Sequence, residues 1–158
     1  MSFHNNLKKW EQFSKIEGCP VCQNWPHPEG EVLIKEFPTS WLIATEKTSC
    51  LWGQCCIVAK PHAIELFDLN ESDLLNYMKE VQAVARTLKE VTNAIKINYE
   101  IHGNTIPHLH MHLFPRYVKE PFKAGGAIDY SMVEPSVYKN DEFKGFVEHM
   151  KQILDELY

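Results

Sequence analysis

With 158 residues, 44% hydrophobic and 23% charged, the chain has the balance of one soluble globular domain that needs no disulfide staples. A formal charge of −5, from 16 basic and 21 acidic residues, argues against a broad footprint for a nucleic acid polymer. No apolar run nears the ~20 residues of a membrane span, MSFHNNLKKWEQF lacks the apolar stretch of a signal peptide, and five cysteines make an odd count, so the expectation is a cytoplasmic protein with reduced thiols.

The first predicted element is a short helix over 3–16, where Phe3, Leu7, Trp10, Phe13 and Ile16 recur at spacings of three and four. Gly18 and Pro20 stop it. The turn-rich CPVCQNWPHPEG follows, and then short β-like runs at Val32–Phe37, Trp41–Ala44 and Gln54–Ala59. From Asn70 the period lengthens. Leu74, Leu75, Met78, Val81, Val84, Ala85 and Leu88 trace one face of a five-turn helix, capped by Asn70 or Ser72 and ended at Thr92–Asn93. Two strands come next, Ala94–Ile101 and Pro107–Phe114, joined by a loop with Gly103 and Asn104. Residues 115–140 hold three prolines and two glycines and read as a long surface loop, and Glu142–Tyr158 is helical again. Strands around one long helix predict an α+β fold with an antiparallel sheet. It would be a single domain over 1–158, with a core of about 19–116 and an appendage, 117–158, of loop and C-terminal helix.

The informative stretch is His108-Leu109-His110-Met111-His112-Leu113-Phe114-Pro115-Arg116. On a strand, Leu109, Met111 and Leu113 share the core face and the three imidazoles share the other, with Pro107 and Pro115 as brackets. Residues two apart lie about 6.6 Å apart and residues four apart about 13 Å. Metal–imidazole bonds are only about 2 Å, so one ion takes at most two neighbouring histidines of a straight strand. At least one ring is left for other work. Neutral imidazole is a competent nucleophile near pH 7 without an activating base. Attack on a phosphate ester or anhydride needs in-line placement and donors for the remaining oxygens. The loop His102-Gly103-Asn104-Thr105 offers backbone and side-chain donors, and Arg116 a permanent charge for a more distal phosphate.

Cys19-Pro20-Val21-Cys22 has the spacing of two thiolates on one tetrahedral zinc. A thioredoxin-like pair would want a strand before it and a helix opening at the first cysteine. The two further ligands are open among His27, His62, His102 and His108. Cys50, Cys55 and Cys56 read as filler, and His4 and His149 as surface residues. Trp41, Ile43, Trp52 and Ile57 form either an apolar slot for a purine base or plain core.

HLHMHLFPR resembles the His-x-His-x-His signature of the histidine triad family of nucleotide hydrolases and transferases. KINYEIHGNTIPHLHMHLFPR is similar to that family's Asn…Gly-Gln/Asn-x-Val-Pro-His lead-in, and GQCCIVAKPHAIELFDL to its second strand and Pro-Lys-x-His loop. The likeness covers about Cys19 to Arg116 and is greatest to the dinucleoside polyphosphate hydrolase branch, which also ends in Pro-Arg.

The resemblance implies a five-stranded antiparallel sheet, and a dimer that joins two such sheets. It implies cleavage at the α-phosphorus of a dinucleoside polyphosphate or related nucleotide, with magnesium on the polyphosphate, through a covalent nucleotide on His110. His112 would bond the phosphate or bridging oxygen, and Asn98, Gly103, Asn104 and Thr105 would line the phosphate and ribose site. Zinc-bearing relatives imply Cys19, Cys22, His62 and His108 as a structural set. Where relatives often place Asn or Asp for the ribose hydroxyls, this chain has Thr45 before Glu46. The rival readings are a zinc-stabilised nucleotide-binding protein with little turnover, a nucleotidyltransferase, and a metal-dependent hydrolase using a His-x-His ion.

Overall fold

Five short strands, each alternating between two faces, carry the fold. In the computed structural model, which describes residues 6–25, 30–128 and 137–157, they are β1 (Val32–Glu36), β2 (Ser40–Ala44), β3 (Cys55–Ala59), β4 (Lys96–Glu100) and β5 (His110–Arg116). They form one antiparallel sheet in the order β1-β2-β3-β5-β4. Helices α1 (Leu7–Phe13) and α2 (Pro20–Asn24) precede the sheet, α3 (Glu71–Thr92) links β3 to β4, and α4 (Glu142–Leu157) follows β5. This is the expected α+β class. Among the described residues no helix is long and apolar enough to cross a membrane.

Helix α3 starts and stops on local chemistry. The Asn70 side chain accepts from the Asp73 backbone N–H at 2.9 Å, and Asn93 ends the helix at φ 50°. The buried stripe differs from the expected one: Leu75 and Met78 are exposed, and Tyr77, Glu80 and Thr87 turn inward. A helical stripe is wide enough to take polar residues, and Tyr77 and Glu80 find partners there, whereas the Thr87 hydroxyl has none among the described residues. Glu80 accepts from the Thr39 N–H, the Thr39 hydroxyl and the Ser40 hydroxyl at 2.9, 3.0 and 2.6 Å, which ties the β1–β2 turn to the helix.

Helix α4 is part of the core rather than an appendage to it. Phe146, Val147, Met150 and Leu154 are buried with Ile34, Leu42 and the α3 side chains in one cluster. The cause is coverage. Helix α3 lies over β4 and β5, while α4 lies on α3 and over β1, and an uncovered β1–β2 half would leave apolar surface in water.

Strand β5 is shifted from its expected bounds. It begins at His110, so Pro107 and His108 lie before it, and it runs through Pro115 to Arg116. Pro115 is tolerated because of parity. The Arg116 carbonyl accepts from the Ile95 N–H, so even positions bond toward β4 and odd ones toward β3. The pairing with β3 has already ended at Leu113 opposite Cys55. The missing proline N–H therefore removes no ladder bond.

Candidate active site and metal-ligand cluster

The histidines of β5 lie on the sheet face away from α3 and α4. Across it run Ile43 of β2, Cys56 of β3 and His112 of β5 in register, beside Trp41, Val58 and His110. The segment Cys19–Trp25 folds over the β2–β3 part of this face, where Cys19 and Val21 cluster with Ile43 and Val58, and Trp25, Leu33, Cys56 and Ile106 pack against them.

At one end of this face four side chains converge. The metal-ligating atoms of Cys19, Cys22, His62 and His108 all lie within 4.8 Å of one another. Nδ1 of His108 is 3.4 Å from Cys19 Sγ and 3.7 Å from Cys22 Sγ, and Nδ1 of His62 is 3.2 Å from Cys22 Sγ. Bonds of about 2.3 Å to sulfur and 2.0–2.1 Å to nitrogen, at tetrahedral angles, set an S···N edge of about 3.6 Å. The spacing therefore fits a tetrahedral ion.

The outer shell fits as well. His108 Nε2–H donates to the Ala59 carbonyl at 2.7 Å, and His62 Nε2–H donates to the Ser14 carbonyl at 3.0 Å. Both rings thus turn the Nδ1 lone pair inward. Burial, reinforced by Cys19, pushes the Cys22 thiol up to about 12, so a cation is what would favour its thiolate. Four protein ligands would leave no open position on such an ion, the arrangement of structural rather than catalytic zinc sites. Of the other expected candidates, His102 lies outside this set and His27 lies outside the described residues.

His108, expected on the strand with the other two, is 1% exposed and sits before β5, facing the cysteines. That displacement separates the imidazoles into two jobs. His110 Nδ1–H donates to the His108 carbonyl at 2.6 Å, leaving the lone pair on Nε2. The His110 and His112 rings meet edge to face at 5.0 Å, and His102 approaches His112 at 5.9 Å. Burial lowers the pKa of His110 and carries that of His112 down to about 3, with His110 and His102 adding to the latter effect. Both rings are neutral at pH 7. His102 also meets Glu100 at 3.0 Å.

His110 and His112 line a cavity of about 300 Å³. Its walls include Val21, Trp25, Ile43, Val58 and Ile106. Of the expected slot residues only Ile43 is there. Ile57 faces the helices and Trp52 packs there against Tyr138 and Phe146, while the Trp41 ring meets Trp25 at 5.8 Å, tilted by 43°. Sequence reasoning missed Trp25, Glu31, Thr48 and Gln54, which enter from turns and strand ends. Burial raises the pKa of Glu31.

The remaining predicted site residues are placed as follows. Gly103 has φ +70°, open space where a Cβ would stand, and a carbonyl that accepts from Trp10 Nε1–H at 3.0 Å. Asn104 and Thr105 are exposed in the same loop. Asn98 lies on β4 opposite Phe114, beside a second, open hollow with Glu100 and His102. Arg116 is 6% exposed and bonds Glu120 through Nε at 2.7 Å and through Nη2, fastening the segment after β5.

Comparison with known proteins matches the HIT domain family model over residues 32–119, more than half of the chain. A curated relative, an uncharacterised HIT-like protein of Methanocaldococcus jannaschii, is 28% identical over 69 residues, 41% of this chain and 54% of its own length. The chain thus spans about half of that relative. Among solved structures, a histidine triad protein of Bradyrhizobium japonicum is 25% identical with a TM-score of 0.62, covering 78% of this chain and 90% of its own. One from Sinorhizobium meliloti is 22% identical with a TM-score of 0.69, over 82% and 96%. A Zn-bound histidine triad family protein of Mycobacterium smegmatis is 19% identical with a TM-score of 0.55, over 80% and 87%. These likenesses under 25% speak to the fold.

Proposed function

The chain belongs to the HIT domain family, and we propose that it is a nucleotide hydrolase that cleaves the α-phosphorus bond of a dinucleoside polyphosphate or related nucleoside phosphate. Membership supports nucleotide binding and hydrolase or transferase chemistry in general. The observation that carries the finer reading is the bond from His110 Nδ1–H to the His108 carbonyl, which leaves the Nε2 lone pair on a neutral ring lining the cavity.

His110 Nε2 attacks the α-phosphorus. The P–N bond forms as the P–O bond to the leaving phosphate breaks, and the leaving oxygen keeps the electron pair. The His108 carbonyl supports the positive charge that develops on the His110 ring. His112 donates to the phosphate or bridging oxygen. Asn98, Gly103, Asn104 and Thr105 take the phosphate and ribose. Water then attacks phosphorus, breaks the P–N bond and releases the nucleoside monophosphate.

Cys19, Cys22, His62 and His108 hold a zinc ion, in keeping with the Zn-bound neighbour and the donor geometry. Bound there, zinc would pin the N-terminal segment to the backbone that feeds His110, and magnesium would accompany a polyphosphate substrate. A second copy pairs along β4, whose outer edge has no partner strand within the described chain.

Acid-quench mass spectrometry of the protein with a diadenosine polyphosphate tests this reading. A nucleotidyl mass on the peptide bearing His110, absent in His110→Ala at unchanged zinc content, is the expected result. Nucleotide binding without adduct or product points instead to a binding module, and an adduct on another residue removes His110 from the role.

A further inference from the structure

Two polar atoms buried in the cavity wall have no hydrogen-bond partner among the described residues: the indole Nε1–H of Trp25 and the carboxylate Oε2 of Glu31. Orphaned buried polar groups are uncommon and costly in a folded chain. Here one is a donor and the other an acceptor, and both line the space that His110 and His112 also line. Both missing bonds are thus open to a ligand that also reaches the histidines.

Register shows which part of a nucleotide reaches them. Leu33, Ile43, Cys56 and His112 run straight across the sheet from β1 to β5, and three strand spacings amount to about 14 Å. Glu31 precedes Val32 at the start of the edge strand β1, three strands from β5, and Trp25 packs against the Cys19, Val21, Ile43 and Val58 cluster over the middle strands. A nucleotide with its α-phosphorus at His110 runs its base, rather than its sugar, past Trp25 over the middle strands and toward Glu31 at β1. The apolar wall of Val21, Ile43, Val58 and Ile106 suits the faces of a ring, and the two orphaned atoms suit its edge.

Resting on the nucleotide reading above, we propose that Glu31 and Trp25 read the edge of the base and select guanine, with the carboxylate accepting from N1–H and the 2-amino group and the indole N–H donating to O6. Guanine presents two adjacent donors to a carboxylate, with an acceptor beside them. Adenine presents a single amino donor flanked by a ring-nitrogen lone pair. Hypoxanthine has the N1–H and O6 but lacks the 2-amino group. A buried acceptor left short of a donor is what makes such a site discriminate.

Isothermal titration of the zinc-loaded full chain with GMP, IMP and AMP tests the proposal. GMP should bind roughly tenfold or more tighter than AMP, as expected for bonds to a charged acceptor, with IMP between them. Glu31→Gln, which swaps one acceptor oxygen for a donor, should bring the GMP-to-AMP ratio to within about twofold. Trp25→Phe keeps a ring and loses the N–H, so GMP and IMP should weaken together. AMP binding as well as GMP to the wild type, or a Glu31→Gln ratio equal to the wild-type one, overturns guanine selection while a His110 adduct would still stand. If none of the three nucleotides binds, the proposal and the nucleotide reading fall together.

Discussion

The two faces of the sheet obey different rules, although the same strand builds both. On the side covered by α3 and α4, Met111 and Leu113 are 4% and 0% exposed, and the polar groups Tyr77 and Glu80 are partnered: the Tyr77 hydroxyl donates to the Ile57 carbonyl at 3.0 Å, and Glu80 collects three donors. On the other side His110 and His112 line a cavity, and Trp25 Nε1 and Glu31 Oε2 are buried without partners. The helix side leaves one buried hydroxyl, that of Thr87, without a partner among the described residues, whereas the other side has its two such atoms on residues that line a cavity shared with the histidines. A single residue step along β5 crosses from stability to chemistry.

The largest expected effect tests that division on β5 itself. Leu113→Ala removes a fully buried side chain of the helix-side core, and denaturant unfolding should show a loss of about 2–5 kcal/mol. Its folded fraction should still form the His110 adduct at the wild-type level. A folded Leu113→Ala protein with no adduct would mean that the two faces are coupled and the division is wrong.

The next effect belongs to the cluster that joins the faces to the N-terminal segment. His62→Ala should lower zinc content, read by elemental analysis, and thermal stability together. The loss should be about 2.7 kcal/mol where free zinc exceeds its dissociation constant hundredfold. Unchanged zinc content takes His62 out of the ligand set. Lost zinc with an unmoved melting temperature takes away its structural role.

Much of this was legible in the residues, for reasons that differ from place to place. Period-2 alternation from His108 to Leu113 and the long stripe of α3 are local signals, and a strand and a helix formed there, the strand starting two residues late at His110 and the helix turning Leu75 and Met78 outward. The Cys19, Cys22, His62 and His108 set came from likeness to a family, since spacing alone left His27, His62, His102 and His108 open. The displacement of His108 off the strand was hidden because alternation gives no sign of where pairing begins. The role of α4 was hidden too, because its amphipathic stripe does not say which surface will cover it. Trp25 and Glu31 lie in or beside a turn-rich stretch without periodicity, and only the fold brings them to the same cavity as His110.

The smallest effect is a difference in how the faces respond to acid. His112 titrates at about 6.5 in an unfolded chain and is held at about 3 in the folded one, by burial first and then by His110 and His102. Between these values the unfolded chain binds a proton that the folded chain refuses. Stability therefore falls as pH falls through this window, by up to about 1.4 kcal/mol per pH unit from this one group, and is unaffected by it above 6.5. The apolar face has nothing comparable to titrate at Met111 or Leu113. Denaturant unfolding of the wild type and of His112→Phe, from pH 7 down to pH 5.5, where the group contributes up to about 1.4 kcal/mol in all, isolates the contribution: the variant should show the shallower decline. Parallel curves for the two proteins would mean that the His112 ring meets water freely, and the contrast between a closed face and a ligand-facing one would then rest on Trp25 and Glu31 alone.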